Sequence, residues 1–224
     1  DRMLRLTHEW QVSLDVAGKV TALRDRGQAE LSAAVRAPLE QAIRGWTFEP
    51  GRIGGRPAPT ETTLTLDVSF VPASGDRYAI RIDDARTGGV VDAAAAAKAP
   101  PRVPREAMRP GLVARVVVKA DYDADGRIFA VTAQPEQDLD ASKALDAATI
   151  KTVRKWAIDP ERVDGHGVAS SVMLPVCYTV SIGRPPDFDC TWTPPGSRSK
   201  VGDGSAYASA PATKLASDVI GRTL

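Results

Sequence analysis

Leu4, Leu6, Trp10, Val12, Leu14 and Val16 place apolar side chains at even positions along the start of the chain. Successive side chains of a strand point to opposite faces, so this spacing predicts a strand with one buried face. Val16-Ala17-Gly18-Lys19 turns the chain, and residues 19–24 return as a second strand. A polar stretch then leads to Leu31, Val35, Leu39, Ile43 and Trp46, whose intervals of three and four are helical. Pro38 interrupts this run. It has no N–H and its ring crowds the preceding turn, so the helix is either kinked there or starts there. A Gly/Pro-rich loop follows, and then strands over 62–71 and 77–82.

The same order of patterns recurs. Strands are predicted over 112–122 and 127–132, then a helix and a loop, then strands over 172–180 and 188–192. Asp140 or Ser142 can cap the second helix, with Leu145, Ala148, Thr152 or Val153, and Trp156 on its inner face. Between the two sets, residues 92–103 form an Ala/Pro-rich linker. Its alanine run favours a brief helix that Pro100, Pro101 and Pro104 end. After Thr193 the composition turns to Pro, Gly and Ser, so residues 194–224 are expected to be a loosely ordered tail with a short helix near Leu215.

The recurrence extends to residue identity. Trp46-Thr-Phe-Glu-Pro50 returns as Trp156-Ala-Ile-Asp-Pro160, an offset of 110 that also carries Gly55 onto Gly165. It carries Leu64, Leu66, Val68 and Phe70 onto Leu174, Val176, Tyr178 and Val180. Upstream the offset is 108 and takes Asp15-Val-Ala-Gly-Lys-Val20 onto Asp123-Ala-Asp-Gly-Arg-Ile128. A self-match of this length predicts two copies of one supersecondary unit. The expected fold is α+β: two tandem β-β-α-β-β modules over 1–91 and 104–193, each a small antiparallel sheet with one helix on a face. That is the simplest way to bury both apolar faces. Trp46 and Trp156, at the helix ends, are expected between helix and sheet.

Bulk properties remove some functions. A net charge of +1 over 224 residues provides no field for nucleic acid. No apolar run approaches the ~18 residues that span a membrane. The chain opens on Asp1 and not on methionine, so an N-terminal segment, signal peptide or anchor, is expected to have been removed.

Few residues suggest chemistry. Asp121, Asp123, Asp125 and Gly126 mimic the start of a calcium loop, but the twelfth position, which needs a bidentate carboxylate, is Thr132. A hairpin turn rich in turn-forming residues is the expected reading. His8 and His166 stand alone, without the three or four ligands zinc requires. Neither a nucleophile elbow, a P-loop nor a dinucleotide fingerprint is present, so neither catalysis nor a cofactor is expected. Cys177 and Cys190 are more informative. A hairpin of 172–180 and 188–192 centred near residues 183 and 184 sets them opposite each other. Cross-strand Cβ atoms lie roughly 4.5–5.5 Å apart, near disulfide reach. Such a bond would stabilise the fold by about 3 kcal/mol or less and implies an oxidising compartment. The alternative is two buried thiols in a cytosolic protein. Asp67 and Ile80 occupy the matching places in the first copy.

Pro104-Arg-Glu-Ala107, Gly111-Leu-Val-Ala-Arg-Val116, Asp123-Ala-Asp-Gly126, Leu139-Asp140, Ala144-Leu-Asp-Ala147, Trp156-Ala-Ile-Asp-Pro160, Gly165 and Leu174-Pro-Val-Cys-Tyr178 occur in this order. Together they resemble the C-terminal domain of TonB-family proteins over about 103–181, with a diverged copy from about 10 to 70. The resemblance implies a periplasmic interaction domain of a Gram-negative bacterium. In the family it takes an extended segment of an outer-membrane transporter by strand addition, in which backbone groups supply affinity and alternate side chains supply specificity. Carried onto this chain, the candidate partner contacts are Val103, Pro104, Val172, Leu174, Val176, Tyr178 and Val180. The family's Tyr-Pro lead-in is Val103-Pro104 here. Residues 188–192, hydrogen-bonded to 172–180 and locked by the disulfide, would occupy the receiving edge, and an occupied edge cannot template another chain. The competing expectation is a structural or assembly protein whose edges are paired internally, as a monomer or a pseudo-symmetric tandem.

Overall fold

The computed structural model describes residues 4–75, 77–135, 142–184 and 187–224. They form two compact units. The first comprises the described residues up to Gly88 together with Glu161–His166 and Pro211–Leu224. The second comprises Gly89–Pro160 and Gly167–Ala210.

In the first unit, β1 (Arg5–Leu14) and β2 (Val20–Asp25) form the expected hairpin. Helix α1 (Ala33–Arg44) follows, then β3 (Thr60–Pro72) and β4 (Tyr78–Gly88). Pairing is antiparallel in the order β2-β1-β3-β4. Trp10, Val12 and Leu14 of β1 pack with Leu64, Leu66 and Val68 of β3 and with Leu39 and Ile43 of α1. Helix α1 neither starts at Pro38 nor stops there, and runs through it. The cost is the bond that a residue-38 N–H would make four residues back. Arg162–Val163 pairs antiparallel with Glu61 and Thr60 at the start of β3. There the buried Glu161 carboxylate accepts from the Thr62 hydroxyl at 2.7 Å and from the N–H groups of Ala212 and Thr213.

In the second unit, short α2 (Ala93–Lys98) is capped by Asp92, and the chain reaches β5 (Leu112–Tyr122) and β6 (Ile128–Ala133). Helix α3 (Lys143–Val153) and β7 (Ser170–Val180) complete it, with sheet order β6-β5-β7. Ser142 caps α3, its Oγ accepting from Leu145 N–H; Asp140 lies outside the described residues. The buried face of α3 is Leu145, Thr149 and Val153, so Thr149 takes the place expected of Ala148. Thr149 suits the interior because its Oγ1 bonds the Leu145 carbonyl and the Tyr178 hydroxyl. The Ala/Pro stretch packs on this core through Ala96, Ala99 and Val103, and Trp156 donates its indole N–H to Ala99.

The two hairpin turns share their chemistry. The Asp15 carboxylate accepts from the N–H groups of Ala17 and Lys19, and that of Asp123 from Asp125 and Arg127. Gly18 and Gly126 follow with φ of 75° and 80°. Their carbonyls accept from Phe48 and Ile158, and a Cβ at either glycine would overlap the carbonyl oxygen of the same partner. Asp123 thus acts as a turn residue, while Asp121, within β5, pairs with Lys119 at 3.1 Å.

Two expectations change. Residues 187–191 form no ladder with β7, and Trp192 bridges Val201 instead. The stretch 194–224 is also more built than its composition suggests. It supplies a strand, not a helix, at Lys214–Leu215, paired with Phe48–Glu49. Its last residues bond Ile80 and Ile82 along the outer side of β4. Backbone pairing of this kind needs little apolar composition.

Candidate functional site

The candidate site is the side of β7 that faces away from β5. All eleven β7 residues pair with β5, from Ser170↔Tyr122 to Val180↔Leu112. Met173 N–H nevertheless bonds the Tyr207 carbonyl, so odd-numbered residues of β7 turn their backbone groups outward and even-numbered residues turn theirs to β5. Val172, Leu174, Val176 and Tyr178 are buried in the helix-facing core, with Val180 packed against it. Their side chains hold the sheet to α3, and their backbone groups bond β5. The groups an added strand can use belong to Ser171, Met173, Pro175, Cys177 and Thr179.

Part of that edge is occupied, and not by 188–192. Met173 and Tyr207 exchange both backbone bonds at 2.8 and 2.9 Å, and Gly204 N–H donates to the Pro175 carbonyl at 2.8 Å. Cys177 N–H donates to the Asp203 carboxylate at 2.9 Å. Pro175 fits because its missing N–H points outward, where β5 does not need it. Among the described residues, Ser171 and Thr179 have no backbone partner on this side.

The Cys177–Cys190 disulfide is present, with Cα atoms 6.2 Å apart. Cys177 alternates with the buried face, so its side chain leaves the sheet on the face opposite α3. There Cys190 meets it, and Arg115, directly across on β5, donates to the Thr191 carbonyl. Trp192 exchanges two backbone bonds with Val201 at 2.8 Å, and its ring meets Tyr207 edge-on at 6.4 Å. The disulfide therefore anchors the segment that reaches the edge. Desolvation holds the Asp203 carboxyl above the usual carboxylate range, against the pull of the Cys177 and Gly204 N–H groups. Burial likewise pushes the Tyr178 hydroxyl up, opposed by its bond to Thr149.

Cys177, Cys190 and Asp203 bring their ligand atoms within 4.8 Å of one another. With the sulfurs bonded to each other, no thiolate is available to a metal. His8 is buried and bonds Asp25 at 2.6 Å, and His166 is exposed against the Asp164 carbonyl. Val103 packs on the core of the second unit, and Pro104 precedes a single 3₁₀ turn at Arg105–Ala107; among the described residues, neither bonds the β7 edge. The sequence reading missed Asp203, Gly204 and Tyr207. Their available signal was Trp192, Val201 and Tyr207, apolar residues in a stretch judged by its Pro, Gly and Ser.

Residues 99–180 match the family described as Gram-negative bacterial TonB protein C-terminal. This stretch is a TonB-family C-terminal domain. Protein TonB from two strains of Xanthomonas campestris pv. campestris is 29% identical over 94 residues. That covers 42% of this chain and 41% of the relative, so the chain spans about two fifths of the curated relatives it matches. No solved structure matches the chain significantly. The TonB-family stretch contains β5, β6, α3 and β7, and ends at the last residue of β7. Residues 203–207, which pair with its edge, lie beyond it, as does Cys190. Among the described residues, no helix is long and apolar enough to cross a membrane.

Proposed function

We propose that the chain is a non-enzymatic interaction module of the Gram-negative periplasm that takes an extended segment of an envelope protein along the outer edge of β7. A TonB-dependent outer-membrane transporter is the first candidate partner. The observation that carries this reading is the TonB-family match over a domain whose last strand has outward backbone groups at Ser171 and Thr179 that are open among the described residues. Exposed strand groups recruit a partner's backbone without any catalytic chemistry. A disulfide between Cys177 and Cys190 agrees with an oxidising compartment. The first unit reads as a diverged copy of the second, supported by the 110-residue offset and by the shared Asp–Gly turns.

A second reading has its own support. Residues 203–207 on β7 and 221–224 on β4 pair edges within each unit, as a structural envelope protein with closed edges would. In-cell photo-cross-linking separates the two. A photoreactive side chain at Thr179 is expected to capture an outer-membrane transporter or another envelope protein, while one at Lys151, on the solvent side of α3, captures none. Capture of nothing, or equal capture from both positions, would leave the structural reading.

A further inference from the structure

We infer that residues 203–207 are a built-in competitor for the outer edge of β7, and that the partner able to displace them is an extended segment of matching chemistry. That segment carries a carboxylate facing Cys177, small residues beside Pro175 and an aromatic side chain level with Met173. The inference rests on reading β7 as a strand-accepting edge.

The built-in segment behaves as a ligand would. It runs antiparallel to β7, with Tyr207 opposite Met173 and Asp203 at Cys177. The Asp203 carboxylate stands in for a backbone carbonyl at the Cys177 N–H. Gly204 donates to Pro175, the one edge position that offers an acceptor and no donor. Tyr207 sets its ring against Trp192, which the disulfide-anchored segment holds in place. The pairing is also short. Among the described residues, three backbone bonds cover a strand of eleven residues, and Ser171 and Thr179 near its two ends stay open. A longer partner would reproduce the central contacts and add bonds at both ends, so it has a basis for displacing the built-in segment. Gly204 adopts its φ of 66° without strain, and a β-branched residue there would resist this left-handed conformation, so the segment can be loosened at that position without touching β7.

The test uses a fluorescent synthetic peptide copying residues 199–209, with anisotropy read against three intact chains. These are the disulfide-bonded parent, Gly204→Val, and the Cys177→Ser/Cys190→Ser pair. Valine at 204 has open space around it but the wrong backbone preference, so it loosens the built-in segment without touching β7. Both variants are expected to bind the peptide about tenfold or more tighter than the parent, a shift of one decade in Kd. A peptide with alanine in place of the aspartate is expected to bind them more weakly. Should Gly204→Val not fold, Asp203→Ala at an exposed position loosens the same segment. Equal binding by all three chains, or none by a folded variant, overturns the inference. Envelope capture at Thr179 without any gain from Gly204→Val removes the competitor and leaves strand addition standing. Peptide gain without envelope capture does the reverse.

Discussion

Replacing Cys177 and Cys190 together by serine measures what the disulfide does for the β7 edge. The bond closes a loop with a sequence separation of 13. Loop-closure entropy for that length corresponds to about 3 kcal/mol. The contacts it supports at the edge are three backbone bonds and one carboxylate bond. At roughly 1 kcal/mol net each they are of the same size as the disulfide's contribution. The segment should therefore open far more often without the bond, by up to about a hundredfold at 1.4 kcal/mol per decade. Amide hydrogen exchange reads this residue by residue. Met173, Gly204 and Tyr207 should exchange much faster in the double variant, while Leu174 and Val118, which bond across β5 and β7, should keep their protection. Uniform acceleration that includes Leu174 would show that the disulfide stabilises the whole unit. Unchanged exchange at Met173 and Tyr207 would show that the segment needs no anchor. Either result refutes the reasoning.

Other perturbations test the surrounding structure. Glu161→Ala strips the acceptor from Thr62, Ala212 and Thr213, and should destabilise the chain in urea by about 3 kcal/mol, since each buried unpaired group costs roughly 1–3; Glu161→Gln, which keeps a carbonyl, should cost less, and a loss below about 1 kcal/mol for alanine would contradict the network. Gly126→Ala should cost at least about 3 kcal/mol, combining left-handed strain with the bond to Ile158 that must shift. Gly111→Ala, with similar φ but open space, should cost only about 1–2 kcal/mol, so equal thermal shifts would refute the clash. Asp203 has a raised pKa, so its contribution to the edge segment is fully present below the ordinary carboxylate range and is lost as pH rises through the higher folded value. Gly204 and Tyr207 protection should fall across that window, and Asp203→Asn should abolish the dependence.

The layout of strands and helices was legible where periodicity and turn chemistry agree. The even positions of β1, the Asp–Gly turns and the helical spacing of Leu145 and Val153 each carry a local physical signal, and the structure places them accordingly. The disulfide was legible too, although through an incorrect geometry. Cys190 reaches Cys177 from a segment that crosses the sheet face, not from a paired strand, and alternation alone cannot tell the two apart. Of the two readings of Pro38, a helix start there is excluded, because a helix packed on a sheet through Leu39 and Ile43 can carry the loss of one bond. Residues 203–207 and 221–224 were illegible for a different reason. They are held by backbone hydrogen bonds and single side-chain anchors, which leave almost no hydrophobic pattern in a stretch of Gly, Ser and Ala. Val172, Leu174, Val176 and Tyr178 are an alternate row of this strand to which the family resemblance assigns partner contact. That row marks the core, and the open edge is the silent row between them.

The most direct test of the account is amide hydrogen exchange across β7, free and with the envelope partner captured at Thr179. The account predicts new protection at Ser171 and Thr179, loss of protection at Gly204 and Tyr207, and no change at the even-numbered amides bonded to β5. Protection that appears elsewhere while β7 and residues 203–207 stay as they are would contradict it.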